Sequence, residues 1–214
     1  MLSLLFTQPL LFLAWALAFV LALSVHEACH ALVSTLLGDE TAKRQGRLTL
    51  NPLAHLDPMG VVALLAIGFG WGKPVPFNPY NLKWPKWGPV AVAFAGPVSN
   101  LLLAIISALL SVLLAPYLGC SNLLIFTLGI SAELNIALMA FNLLPFPPLD
   151  GSKLLLVALS APRFARARMM IEVYGSQALF IFVLFSAFFG LSLFSGWIGY
   201  ALHAFQSIIP IACV

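Results

Sequence analysis

Long apolar stretches separated by short polar ones dominate the chain. A helix needs ~20 predominantly apolar residues to cross a bilayer. Residues 10–37, 90–115, 123–145 and 171–190 meet that requirement, and 193–213 is a fifth candidate, interrupted by His203 and Pro210. The run 59–70 is too short to cross and is expected to re-enter the membrane or to pack against the bundle. Residues 46–80 have another texture: "GRLTLNP" and "KPVPFNP" each alternate briefly and end in Asn-Pro. Alternation predicts strand and Asn-Pro predicts a turn. The expected fold is a single all-α polytopic membrane domain, 1–214, with about five transmembrane helices and a small membrane-associated β region within 46–88 on the cytoplasmic side.

Composition supports the membrane reading: 62% of residues are hydrophobic and 8% are charged, against roughly 25% charged in a soluble domain. All ten Lys and Arg residues fall between the first and second strong spans or between the third and fourth. Cytoplasmic loops carry the excess of basic residues. Two spans separate the two basic regions, so both lie on one side, and helix 10–37 runs inward from an outer N-terminus. The start of the chain lacks a basic region and a small-residue cleavage pattern, so no removable signal peptide is expected. Cys29, Cys120 and Cys213 show no pairing pattern and read as small hydrophobes. The net charge of +3 is no signal for nucleic acid; the expected surroundings are lipid.

Against that background "HEACH", residues 26–30, is out of place. An ionisable group at the bilayer centre costs ~2.5–3.5 kcal/mol on insertion scales. His26 and His30 are four apart, so on a helix both imidazoles can reach one metal ion. Glu27 lies one step round, beside such an ion without having to bind it. A zinc ion lowers the pKa of its water to about 7, and a general base beside it would take the proton. The bland alternative is a polar cluster tying helices together. Cys29 points away from the His26–His30 face and reads as packing.

A catalytic zinc needs a third protein ligand. Asp150 in "FNLLPFPPLDGSK" is favoured, because Pro145, Pro147 and Pro148 forbid a continuous helix and Gly151 permits a tight turn. Broken backbone at membrane depth must face protein or a water-filled cavity. Asp150 could instead cap a helix over 152–160. His55 and Asp57 are the second choice, and Glu133, Glu172 and His203 complete the candidates. Asn100 and Asn142 are buried amides that could stabilise an oxyanion or tie helices; spacing alone favours the tie.

Taken in order, "HEACH", "GRLTLNPLAHLDPMG", "FGWGKPVPFNP", "AGPVSN" and "FNLLPFPPLDG" resemble the site-2 protease family of intramembrane zinc metalloproteases, in its short prokaryotic form. The resemblance covers about residues 14–160. It implies Zn2+ held by His26, His30 and Asp150, Glu27 as catalytic base and Asn142 as an aid to the tetrahedral intermediate, with His55 and Asp57 structural. It implies a transmembrane-helix protein as substrate, cut near the cytosolic side of the inner membrane. A helix before the zinc helix, a peptide-binding domain and nucleotide-sensing modules, which some members carry, have no counterpart here. The competing readings are a metal-ion transporter and an inactive helix-binding relative.

Overall fold

The computed structural model describes residues 2–67, 70–189 and 193–213. The helices are α1 (Leu2–Thr7), α2 (Pro9–Leu36), α3 (Thr41–Arg44), α4 (Pro58–Ile67), α5 (Gly88–Leu118), α6 (Leu123–Asn142), α7 (Ser152–Ala158), α8 (Ala165–Phe189) and α9 (Leu193–Ile208). Among the described residues four segments are long and apolar enough to cross a membrane: Pro9–Leu36, Gly88–Leu118, Leu123–Asn142 and Pro162–Ser186. The protein is an integral membrane protein.

The core is made by α2, α5 and α6 packing pairwise on one another. Its logic inverts that of a soluble protein. Leu10, Leu13, Leu17 and Leu21 of α2 face outward, while Ala14, Ala18 and Ala22 face the neighbouring helices. Ala104 and Ala108 of α5 and Ala132 of α6 are likewise fully buried. Lipid tails are as apolar as leucine, so association gains from close backbone approach, and small residues permit it. α5 runs antiparallel to both α2 and α6, as the Asn100 contacts to Ala22 and Asn135 and the Ser107–Ser131 contact require. The connections 38–87 and 143–164 therefore gather at one end of the core; with the first turn of α8, which holds Arg166 and Arg168, they carry all ten basic residues.

The expected β region is absent: among the described residues there is no strand. One antiparallel bridge, Leu56 with Gly72, remains, supported by the Lys73 amide donating to His55 O at 2.7 Å. Proline explains the rest, because Pro74 and Pro76 cannot donate to a ladder and Pro58 opens α4. Both Asn-Pro turns form. Asn51 accepts from the Leu53 amide and Asn78 from the Tyr80 amide, each starting a 3-10 turn. Buried Arg47 links the two echoed segments by donating to the carbonyls of Lys73 and Pro74. The short run 59–70 forms α4; its residues 68–69 lie outside the described ones.

Asp39 clamps this strap to the zinc helix. α2 ends with the Asp39 amide on Ser34 O and the Gly38 amide on Thr35 O, with Gly38 at φ 105° in the left-handed region such an ending needs. The fully buried Asp39 carboxylate accepts from the Thr41 amide and hydroxyl, the Asn78 amide and the Asn81 side chain. Burial pushes its pKa up, but these hydrogen bonds outweigh it and hold the carboxyl below its ordinary value.

The fifth candidate, 193–213, does not form a continuous helix long enough to count among the spans. α9 has 16 residues, about 24 Å at 1.5 Å per residue against a hydrocarbon core of ~30 Å. It lies antiparallel to α6: Phe194 meets Phe141, and Phe205 packs among Ala104, Ala108, Ala132 and Ile136. The chain then reaches Cys213, which is disulfide-bonded to Cys120 in the α5–α6 turn. Both cysteines, read from sequence as lone hydrophobes, lie where α5 and α9 end at the same end of the bundle; their 93-residue separation hid the pairing. Cys29 is free.

Two predictions follow from these fastenings. Asp39's depressed pKa means its contribution is present above the unfolded carboxyl value of ~3.9 and is lost as pH falls through the folded value. Hydrogen-exchange protection of residues 78–82 should drop below about pH 4, and Asp39→Asn should lack it already at pH 7; equal protection in both proteins contradicts the clamp. For the disulfide, a maleimide reagent applied to denatured, unreduced protein should label Cys29 alone, with Cys120 and Cys213 labelled only after reduction. Cys120→Ser should lower stability by ~2–4 kcal/mol.

Candidate metal centre

α2 carries His26, Glu27 and His30 on buried faces. His30 and His26 lie six and ten residues before Leu36, roughly 9 and 15 Å of helix rise inside the end that bears the basic connections. Asp150 arrives from the other side. After α6 ends at Asn142, the prolines carry the chain through turns, and the Gly151 amide donates back to Asn142 O at 2.7 Å. A side chain at 151 would collide with Leu143 O, so only glycine lets the turn close this tightly. The alternative capping role fails: the N-cap of α7 is Gly151, with no side-chain cap bond.

The turn brings Asp150 Oδ2 to 3.2 Å from His26 Nε2 and 3.4 Å from His30 Nε2. One ligand atom from each of the three residues lies within 4.8 Å of the others. The other ring nitrogens are committed. His26 Nδ1 meets Asn100 Oδ1 at 2.5 Å and His30 Nδ1 meets Val92 O at 2.7 Å. Each Nδ1 faces an acceptor and so carries the proton, which leaves both Nε2 lone pairs facing inward. Asp150 Oδ2 is buried without a hydrogen-bond partner. Three lone-pair donors aimed at one spot repel unless a cation lies between them, and two nitrogens with one oxygen suit zinc. There is room for one: a Cβ built on Gly96 would lie 2.5 Å from His30 Nε2 and 2.6 Å from His26 Nε2. The small residue of "AGPVSN" leaves the cradle open.

Glu27 is 9% exposed, and no hydrogen bond or ion pair to another described residue engages its carboxylate. Asn142 donates one amide hydrogen to Leu138 O at 3.0 Å. Asn100, expected to tie helices, ties α2 to α6 and also grips a candidate ligand. Gly96 and Asn135 were missed; an amide within the apolar run of α6 was the available signal for Asn135. The remaining candidates stand elsewhere. His55 is fully buried and its Nε2 bonds Thr49 O. Asp57 accepts the Met59 and Gly60 amides at the start of α4. Glu172 pairs with Arg168, and Glu133 accepts from Gln206.

Zinc analysis of purified protein separates these roles. Gly96→Ala, which drives a methyl group into the cradle, should reduce zinc affinity roughly 10-fold or more, while Asp57→Ala should keep its zinc. The opposite pattern would move the centre to the 55–57 segment.

Comparison with known proteins points to a zinc-dependent family. A family model described as Peptidase family M50 matches residues 119–186, from the α5–α6 turn through the Asp150 turn into α8. "Putative zinc metalloprotease YwhC" of Bacillus subtilis is 45% identical over 163 residues, 73% of this chain and 73% of that protein. "Putative zinc metalloprotease Rip2" of Mycolicibacterium smegmatis is 31% identical over 139 residues, 62% of this chain and 52% of that protein. No solved structure matches the chain. With the first relative similar over nearly three quarters of both chains, this protein belongs to peptidase family M50, the site-2 protease family of zinc metalloproteases.

Proposed function

We propose that the chain is an intramembrane endopeptidase that hydrolyses peptide bonds within or near the transmembrane segments of other membrane proteins. The observation that carries this reading is depth. The three candidate ligands converge on buried faces about 10–15 Å inside the end of a helix long enough to span, so the scissile bond must come to them within the membrane.

His26, His30 and Asp150 would hold a zinc ion, which when bound would supply Lewis acidity towards a carbonyl and a water molecule. Glu27, whose carboxylate is uncommitted, takes a proton from the attacking water and passes it to the leaving amine. Asn142 has a second amide hydrogen beyond the one given to Leu138 and offers it to the developing oxyanion. An apolar cavity of about 630 Å³, lined by Pro145, Phe146, Pro147, Tyr174, Phe182 and Trp197 among others, lies against the turn that carries Asp150 and receives the substrate helix. A helix hides its peptide groups in its own ladder and must unwind first.

Two features support one orientation. The basic connections put the zinc-bearing end towards the cytoplasm, and the Cys120–Cys213 bond lies at the opposite end, where an oxidising compartment is expected. With both relatives bacterial, the site faces the cytoplasm of a prokaryotic inner membrane.

The test uses purified protein in proteoliposomes with a panel of single-span substrates. Glu27→Gln should retain zinc while kcat/KM falls roughly 10²–10⁴-fold. Undiminished cleavage by the variant rejects Glu27 as the base, and wild type that moves zinc across the vesicle without cutting any substrate rejects the protease reading.

A further inference from the structure

The bond from His26 Nδ1 to Asn100 is the first link of a chain that crosses the bundle. Asn100 Nδ2 donates to Asn135 Oδ1 at 2.8 Å and to Ala22 O at 3.3 Å. Asn135 Nδ2 in turn donates to Ser131 O at 2.8 Å. Asn100 is 0% and Asn135 1% exposed, so neither amide has water to fall back on.

The direction of this chain is fixed from its far end. A backbone carbonyl only accepts, so Asn135 must turn its NH2 to Ser131 and its oxygen to Asn100. Asn100 must then present its own NH2 to Asn135 and to Ala22 O. Its oxygen is left for His26, and His26 must carry its proton on Nδ1. The consequence appears at the metal centre, where Nε2 keeps the lone pair that faces Asp150 Oδ2. Reversing Asn100 would set its NH2 against the His26 N–H and its oxygen against Asn135 Oδ1 and Ala22 O, leaving buried polar groups unpaired.

We propose that Asn135 is a positioning residue of the zinc site, acting through Asn100 to hold His26 in its Nε2-ligating tautomer and ring orientation. It touches neither the cation nor substrate; its hydrogen-bond polarity is what reaches the metal. The proposal rests on His26, His30 and Asp150 being the zinc ligands.

The experiment measures zinc affinity of detergent-purified full-length protein by chelator competition, with zinc alone as probe, and the tautomer of His26 by 15N NMR of histidine-labelled, zinc-free protein. Asn135→Leu removes both hydrogen-bonding groups and should weaken zinc binding roughly 10–100-fold, with the His26 signal no longer purely Nδ1-protonated. Asn135→Asp is the conservative rescue. Its carboxyl, kept protonated by the apolar surroundings, offers Asn100 the same acceptor and Ser131 O the same donor, and should bind zinc within a few-fold of wild type. Retention of the Cys120–Cys213 bond and of helical content reports folding; if Asn135→Leu fails to fold, Asn135→Ala takes its place. Wild-type zinc affinity in either folded apolar variant overturns the proposal, as does a wild-type His26 protonated on Nε2, or an Asn135→Asp protein as weak as Asn135→Leu. His26→Ala is the control: if it retains zinc, the ligand assignment beneath the proposal is what has failed.

Discussion

The structure depends on holding three electron-pair donors, His26 Nε2, His30 Nε2 and Asp150 Oδ2, against one another in a largely buried place. An unpaired buried polar group is costly, so every other polar atom of these side chains has to be engaged. Asn100 and Val92 O take the two Nδ1 protons. Close helix approach makes this possible: alanines, serines and Gly96 line the contacts of α2, α5 and α6, and the bulky leucines are turned to lipid. The same small residues give the core its packing and give a cation its space.

Around this centre the two ends of the bundle are built differently. The basic end is loosely covered by a proline-rich strap, fastened by Asp39, Arg47 and one bridge. The opposite end is closed by the α5–α6 turn and locked to the end of the chain by Cys120–Cys213. Trp197 joins the halves, donating to Ala140 O at 2.7 Å, near the C-terminal end of α6 where carbonyls lack helical partners.

Much of this was legible in the chain. Length and hydropathy placed the three core helices and α8, and the four-residue spacing of His26 and His30 pointed to the helix that carries two of the three candidate ligands. The Asn51-Pro52 and Asn78-Pro79 turns form as read, because an Asx turn is a local event. What escaped depends on distant neighbours. Short alternation around 46–80 promised strands, but a ladder needs partners at every other residue, and Pro74 and Pro76 withhold them. Cys120 and Cys213 share no local pattern and meet only because α9 doubles back along α6. The 193–213 stretch was read as a candidate interrupted by Pro210, and α9 does end at Ile208, short of that proline. Asn135 and Gly96 look like ordinary residues of apolar helices until α5 is laid against α2 and α6, and only then does one face His26 through Asn100 and the other face the cradle.

The central claim is that two imidazoles and one carboxylate complete a single zinc site. X-ray absorption spectroscopy of the zinc-loaded protein tests it most directly. The account predicts a first shell of nitrogen and oxygen at about 2.0–2.1 Å with the multiple-scattering signature of two histidines and no sulfur. A sulfur shell at about 2.3 Å, which would bring in Cys29, or a spectrum with fewer than two histidines, would contradict it.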